Sequence, residues 1–108
     1  MINVVFSRNV AGFFCSFCIR GHSGFAELGR DIVCAAVSSA SYLVVNTVVD
    51  VMHVRPRKLV FSDGSLIFAL DDAGSVACSF LLKGFFLHLK AMAEQYPGNL
   101  SIKYGKVV

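Results

Sequence analysis

The chain has 108 residues, enough for one domain built around a single hydrophobic core. Apolar residues make up 56% of the sequence and charged residues only 16%, so the composition excludes an intrinsically disordered chain. The formal net charge of +3 is too small for the electrostatic footprint of a dedicated nucleic-acid-binding protein. We therefore expect a single domain over residues 1–108. Because so few charges are available for its surface, we also expect that a second copy of the chain covers part of the exposed apolar surface.

The four cysteines do not predict a disulfide framework, because they stand among large apolar residues where a free thiol behaves as a small hydrophobe. This favours a reduced, cytoplasmic protein. Cys15 and Cys18, followed by His22 and Cys34, supply ligand types that zinc accepts. On a strand, however, Cys15 and Cys18 point to opposite faces, and no second CxxC completes a site. No phosphate-binding glycine motif occurs either, so we expect no metal and no cofactor.

Two apolar runs raise the question of a membrane. Residues 10–19 follow an arginine, as in a signal peptide, but no small-residue cleavage site follows them. Residues 32–49 carry no formal charge, yet they include three serines, Asn46 and Thr47, which are costly in lipid. We expect neither run to span or enter a membrane.

The opening of the chain predicts a β-hairpin followed by a glycine-bearing loop. The run "INVVF" at 2–6 is rich in β-branched residues, and "RNVAG" after it is typical of a turn. The run "FFCSFCIR" at 13–20 predicts a second strand, with Phe14 and Phe17 on opposite faces. The loop then covers residues 21–29.

A long helix is predicted to begin at Asp31, whose carboxylate is suited to accept hydrogen bonds from first-turn amides. Its apolar run extends to about Asp50 or Val51. The many β-branched residues in this run favour a strand, but its length favours a helix. Pro56 then interrupts the pattern within "VRPRK", a small basic patch.

The clearest local signal is "KLVFSDGSLIFAL", in which Asp63 and Gly64 join two short apolar strands, as in a type I′ hairpin. Ser75 is predicted to cap a second helix that runs to about Tyr96, where a Pro-Gly pair stops it. The run "LSIKYGKVV" forms a last strand.

These elements occur in the order ββαββαβ and predict an α+β domain with two helices packed on a mostly antiparallel sheet. Apolar side chains cover more of the second helix than one buried face requires, which is consistent with a homodimer contact. They are Phe80, Phe85, Phe86, Leu87 and Leu89.

The chemistry-bearing pair of the sequence is His22 and Cys34. A thiolate attacks carbonyl carbon, and the first turn of a helix favours an anion through its free amides and macrodipole. A histidine alongside would take the thiol proton and later protonate the leaving group. The same amides would stabilise the oxyanion of an acyl-transfer intermediate. On spacing alone, a buried inert cysteine and an exposed loop histidine remain the alternative.

Residues around this pair suit the same chemistry. Asp31, Cys34 and Ser38 are spaced i, i+3 and i+7 and share one helix stripe, where Ser38 would hold the thiolate, a water or a substrate carbonyl. Gly21 and Gly24 flank the histidine and would let the loop close over a substrate. Asp31 alone is more typical of a helix cap, and its charge opposes thiolate formation.

The remaining polar groups carry weaker signals. His53 and His88 have no partner at motif distance and are expected on the surface. Arg55, Arg57 and Lys58 are suited to contact RNA or an acidic peptide, although so short a run is more typical of a solvated turn.

The stretch "GHSGFAELGRDIVCAAVSS" at 21–39 closely resembles the signature of the ribosomal-processing cysteine protease family. The shared pattern is Gly-His, a small residue and Gly, followed by Gly-x-Asp-Ile-Val-Cys-Ala-Ala-Val-Ser. The opening strands, the "SDGS" hairpin and the "EQYP" helix ending extend the resemblance over nearly the whole chain. Ser23 departs from the family, which usually has alanine there.

This resemblance implies that His22 and Cys34 form a catalytic dyad, with Cys34 as the nucleophile and His22 as the base. Gly21, Asp31 and Ser38 match motif positions that surround the site. The family removes a short N-terminal extension from a large-subunit ribosomal protein by cutting after a phenylalanine, which supports ribosome assembly. Its members are homodimers and need no cofactor.

Substrate contacts are expected from the same loop, with Gly24 covering the bound peptide and Phe25 supplying part of the pocket wall. An alternative from another class is a non-catalytic, ribosome- or RNA-associated binding module that uses the basic patch. The leading hypothesis requires neither direct nucleic-acid binding nor a membrane.

Overall fold

Two layers make up the molecule, a five-stranded sheet and the helices packed on one of its faces. The structure is a computed structural model that describes residues 1–21 and 31–105. The strands are β1 (Ile2–Arg8), β2 (Phe14–Arg20), β3 (Lys58–Ser62), β4 (Ser65–Ala69) and β5 (Leu100–Tyr104). The helices are α1 (Ile32–Asn46), continued by the π-helical segment Thr47–Val51, then α2 (Asp72–Ala77) and α3 (Ser79–Gln95).

The sheet has the strand order β3-β4-β2-β1-β5. Of the pairings between the described strands, only that of β1 with β5 is parallel. The α+β class and the mostly antiparallel sheet are therefore confirmed. The predicted second helix is present as two consecutive segments, α2 and α3, which meet at Cys78.

The first hairpin contains a β-bulge that the alternation of the sequence does not reveal. The register shifts between Ser7 and Arg8, so that Phe14 pairs with Arg8 and Ser16 pairs with Ser7, leaving Cys15 as the extra residue. The bulge turns Phe14 to the same side as Phe17, and both rings contact Phe6. The prediction that Phe14 and Phe17 lie on opposite faces is therefore wrong.

The core is largely aromatic where the sheet meets α3. The Phe6 side chain is fully buried and its ring contacts those of Phe14, Phe17, Phe85 and Phe86, with centroids 5.2–5.7 Å apart. Several of these pairs are edge-to-face, the arrangement that the ring quadrupoles favour. This cluster fixes α3 against β1 and β2.

The predicted helix after Asp31 is confirmed, and it changes to π-helical geometry over its last five residues. The segment Ile32–Val51 is long and apolar enough to cross a membrane by length and composition, a test that the core helix of a soluble protein also passes. Here five valines are buried in the core of the chain. They are Val33, Val37, Val44, Val45 and Val48.

Two local predictions need correction. The turn at 63–64 joins β3 to β4 as expected, but only Gly64 has a positive φ (70°), whereas a type I′ turn needs a positive φ at Asp63 as well. The second helical region begins before Ser75, because the Asp71 carboxylate caps α2 by accepting from the Gly74 amide at 2.7 Å. The Ser75 hydroxyl is buried inside this helix and donates to the Asp71 carbonyl oxygen.

Candidate active site

Cys34 lies in the first turn of α1, on the helix that packs against the sheet. Asp31 is the N-cap, with an extended backbone (φ −77°, ψ 93°), and its carboxylate accepts from the Cys34 amide at 2.9 Å. The predicted cap is therefore present. Cys34 is partly buried against the core, so its side chain is held in place while part of it stays accessible.

A cavity of about 380 Å³ opens beside Cys34, between α1 and the β3–β4 hairpin. Its walls come from four parts of the chain that are distant in sequence. The described residues that line it are Ile2, Ile19, Gly21, Cys34, Val37, Ser38, Ser41, Tyr42, Phe61, Ser62, Gly64, Ser65 and Leu66. No charged side chain occurs among these described lining residues, and the surface combines hydroxyl groups with apolar side chains.

Sheet pairing explains why the hairpin faces α1. Ile19 pairs with Leu66 and Arg20 with Ser65, so the turn of the β3–β4 hairpin lies beside the end of β2. The Gly21 amide donates to the Gly64 carbonyl oxygen at 2.9 Å and ties the two segments together. The chain thus leaves β2 from one wall of the cavity that contains Cys34.

Gly21 is held in a conformation and a space that suit no other residue. Its φ is +95°, and a Cβ built on it would lie 2.5 Å from the Met1 carbonyl oxygen. The motif glycine before His22 therefore has a structural explanation. It allows the N-terminal backbone and the end of β2 to approach each other closely.

The amides of the helix start are not all available to a substrate. The Cys34 amide already donates to Asp31 Oδ1, and the Ala35 amide donates to the Asp31 carbonyl oxygen at 3.1 Å. These two amides therefore do not fit the expectation that free amides of this turn stabilise an oxyanion.

The structure brings together part of the predicted site. Gly21, Cys34 and Ser38 line one cavity, and Asp31 caps the helix that carries the last two. His22, Gly24 and Phe25 lie outside the described residues, as does the departure at position 23.

The other cysteines differ from Cys34 in their surroundings. All four cysteines lie within the described residues and are free. Burial raises the pKa of the Cys15 and Cys78 thiols above the ordinary value, because their thiolates would lose solvation. Cys18 accepts a hydrogen bond from Arg20 Nε at 3.2 Å on the open face of the sheet. Within residues 1–21 and 31–105, no group of three or more His, Cys, Asp or Glu side chains is arranged to hold a metal ion.

Sequence reasoning missed most of the cavity, since only three of its thirteen described lining residues are among the predicted site residues. Ser41 and Tyr42 follow Ser38 at the spacing that continues the Cys34 stripe by another turn, so the helical period alone would have indicated them. Phe61 and Ser65 had no such signal, because their position depends on which strand β4 pairs with.

Comparison with known proteins agrees with this geometry. A family model described as "Cysteine protease Prp" matches residues 1–101. The chain is similar to the ribosomal processing cysteine protease Prp of Bacillus subtilis, with 28% identity over 107 residues, covering 94% of this chain and 96% of the relative.

Two crystal structures of the essential ribosomal processing protease Prp from Staphylococcus aureus have the same fold. The one with a covalently linked product peptide has a TM-score of 0.89 and 26% identity, covering 97% of this chain and 100% of that chain. The one with a substrate peptide has a TM-score of 0.84 and 25% identity over the same shares.

The fold and a partly buried cysteine at a helix start beside a cavity define the class as cysteine peptidase. More narrowly, the chain belongs to the Prp family of cysteine proteases.

Proposed function

We propose that this protein removes a short N-terminal extension from a large-subunit ribosomal protein by cutting after a phenylalanine, with Cys34 as the nucleophile and His22 as the base. The observation that carries the proposal is the position of Cys34, at a helix start and in the wall of a cavity of about 380 Å³. The names of its relatives from Bacillus subtilis and Staphylococcus aureus, which describe ribosomal processing proteases, support the substrate class.

The proposed reaction proceeds through a thioester. Cys34 Sγ attacks the scissile carbonyl carbon while His22 takes the thiol proton, and His22 then gives that proton to the leaving amine as the C–N bond breaks. A water attacks the thioester while His22 accepts its proton; the C–S bond then breaks, the acid product leaves, and His22 returns the proton to Cys34 Sγ. We assign the Ile32 and Val33 amides to the developing oxyanion, because the Cys34 and Ala35 amides already donate to Asp31. The covalently linked product peptide in the Staphylococcus aureus relative is consistent with a covalent intermediate.

Supporting roles follow from the cavity. Ser38 stands one helical turn after Cys34 and would hold a water or the substrate carbonyl. Gly21 would anchor the start of the 22–30 segment beside the nucleophile, since its own amide is bound to Gly64. Gly24 and Phe25 would contribute to covering the bound peptide.

We also propose that the protein is a cytoplasmic homodimer. Two strongly exposed apolar side chains support self-association, Phe80 on α3 (94% exposed) and Val10 in the β1–β2 turn (91% exposed). Sedimentation equilibrium of the wild type and of Phe80→Arg tests the contact. A dimer that dissociates in the variant supports it, and equal masses for both proteins exclude Phe80 from the interface.

The decisive experiment mixes the protein with the ribosomal protein that carries its N-terminal extension and records intact masses over time. Wild type, Cys34→Ala and His22→Ala are compared in parallel. A single cut after phenylalanine by the wild type alone establishes the reaction and both roles. An uncut substrate contradicts the proposal. Salt-dependent binding to ribosomal RNA that survives Cys34→Ala would then favour the binding-module alternative.

Alkylation provides an independent check on the nucleophile. We expect Cys34 to react with iodoacetamide faster than Cys15 or Cys78 at neutral pH, because burial both shields those two thiols and raises their pKa. Peptide mass mapping after partial reaction measures the order. Modification of Cys78 ahead of Cys34 would contradict the accessibility on which the proposal depends.

A further inference from the structure

Two half-exposed aromatic side chains contact each other at one end of the cavity. This is the end that lies toward the C-terminus of α1, away from Cys34. They are Tyr42 of α1 and Phe61 of β3, each 51% exposed. Their ring centroids lie 5.7 Å apart with an interplanar angle of 50°. Each ring thus keeps about half of its surface open, while the contact between them fixes their relative position.

The fold explains why these two residues meet. Tyr42 follows Cys34 by eight positions on α1, which places it about two turns further along and about 80° around the helix, and both residues line the cavity. Phe61 pairs with Leu66 in the hairpin, and Leu66 is buried on the cavity wall, so Phe61 faces α1 as well. Because β3 is the edge strand of the sheet, no further described strand covers this side of the cavity.

The spacing of the helix sets a distance between the nucleophile and the aromatic pair. Eight residues at 1.5 Å each place Tyr42 about 12 Å from Cys34 along the helix axis. An extended peptide advances by about 3.3 Å per residue, so this distance corresponds to three or four substrate residues. A peptide lying along the cavity would therefore reach the aromatic pair well beyond the bond that is cut.

We propose that Tyr42 and Phe61 form a specificity-determining subsite for an apolar or aromatic substrate side chain, three or four residues from the scissile bond. The proposal rests on the proposed function, because it takes Cys34 as the point of attack. The described lining residues supply two ring faces and no charged group, so an aromatic side chain gains contacts here while a charged one would lose solvation without a partner.

The test uses fluorogenic peptides of about twelve residues built on the N-terminal extension. Alanine, leucine, phenylalanine or lysine is placed in turn at the third and fourth positions on each side of the cut. We expect the wild type to prefer phenylalanine or leucine over alanine and lysine at one of these positions. Tyr42→Ala and Phe61→Ala should each lower the phenylalanine-over-alanine ratio in kcat/KM about tenfold. Tyr42→Phe keeps the ring and should retain the preference.

Leu43→Ala is the matched control, because Leu43 is 66% exposed and adjacent to Tyr42 but does not line the cavity. An unchanged preference in both alanine variants, with the wild type still cutting, overturns the subsite and leaves the proposed function intact. If the wild type cuts no peptide, or if Cys34→Ala cuts as fast as the wild type, the proposed function fails. Fluorescence anisotropy of labelled peptides binding to Cys34→Ala then tests the subsite independently of cleavage. Tighter binding of the phenylalanine peptide that is lost when Tyr42→Ala is added supports the subsite, and a binding preference that is unaltered overturns it.

Discussion

Replacing Gly21 by alanine should destabilise the fold, and it should do so more than the same replacement at a described glycine that has open space around it. Gly12 provides the matched control, because its φ of +93° is nearly that of Gly21 (+95°), yet a Cβ at Gly12 would meet nothing within 4 Å. A Cβ at Gly21 would lie 2.5 Å from a backbone oxygen, that of Met1, which cannot rotate away as a side chain would.

The magnitudes follow from these two environments. A left-handed φ costs alanine about 1–2 kcal/mol, of which about 0.4–1 kcal/mol is offset by the lower entropy of the unfolded chain. We therefore expect Gly12→Ala to lower the free energy of unfolding by about 1 kcal/mol. The clash at position 21 adds about 1–3 kcal/mol, as overpacking usually does, giving about 2–4 kcal/mol for Gly21→Ala.

Urea denaturation followed by circular dichroism measures both variants against the wild type. Gly21→Ala should also lower peptidase activity in native conditions, because Met1 and the Gly21–Gly64 hydrogen bond have to shift at the cavity wall. If the two variants agree within about 0.5 kcal/mol, the scatter expected between independent sites, the close approach of Met1 to Gly21 has no energetic consequence and the reasoning fails.

Further outcomes can be checked by the same denaturation assay. Gly84→Ala should stabilise the protein by about 0.5–1 kcal/mol, since Gly84 lies inside α3 with open space around it, and a loss of stability would contradict that environment. Asp31→Ala should cost about 1 kcal/mol through the lost cap while Asp31→Asn costs less, and equal losses would show that the cap hydrogen bond is not what stabilises the helix start. Phe17→Ala should cost about 3–5 kcal/mol, because its ring is 1% exposed among other phenylalanines, and a loss below about 1 kcal/mol would mean that this core is loosely packed. Burial raises the pKa of Cys15 and Cys78, so the folded state favours their neutral thiols. The resulting contribution to the free energy of unfolding is fully present below the ordinary pKa of 9.0, and it is lost as the pH rises above that value. Unfolding measured at pH 7.5 and pH 10 should therefore show a decline that is smaller in Cys15→Ala/Cys78→Ala, and an identical decline in both proteins would exclude these thiols as its cause.

The elements that the sequence predicts well are those defined by local chemistry. Asp31 caps its helix because a carboxylate at that place satisfies a first-turn amide. The hairpin around Gly64 forms where its sequence indicates, since the turn and the flanking apolar strands agree. The predicted start of the second helical region is too late because Ser75 and Asp71 are both good caps, and it is the Asp71 carboxylate that accepts from the Gly74 amide.

Contacts between segments that are distant along the chain could not be predicted from the sequence. The bulge at Cys15 changes the face of Phe14, and alternation alone cannot register an inserted residue. The cavity requires β4 to pair with β2, a choice among several sheet orders that the strand patterns permit equally. Cys34 is therefore identifiable from its motif and helix position, whereas Phe61, which lines the same cavity, is not.

The parallel pairing of β1 with β5 has a consequence for how the chain folds during synthesis. β1 acquires β2 at once through a short turn, but its other neighbour, which begins at Leu100, follows only after the helices and the second hairpin. Contacts between residues so far apart in sequence form slowly, because a long loop has to close before they stabilise anything. Until β5 emerges, the outer edge of β1 is unpaired and open to another strand. The nascent protein thus carries an aggregation-prone sheet edge until β5 is made.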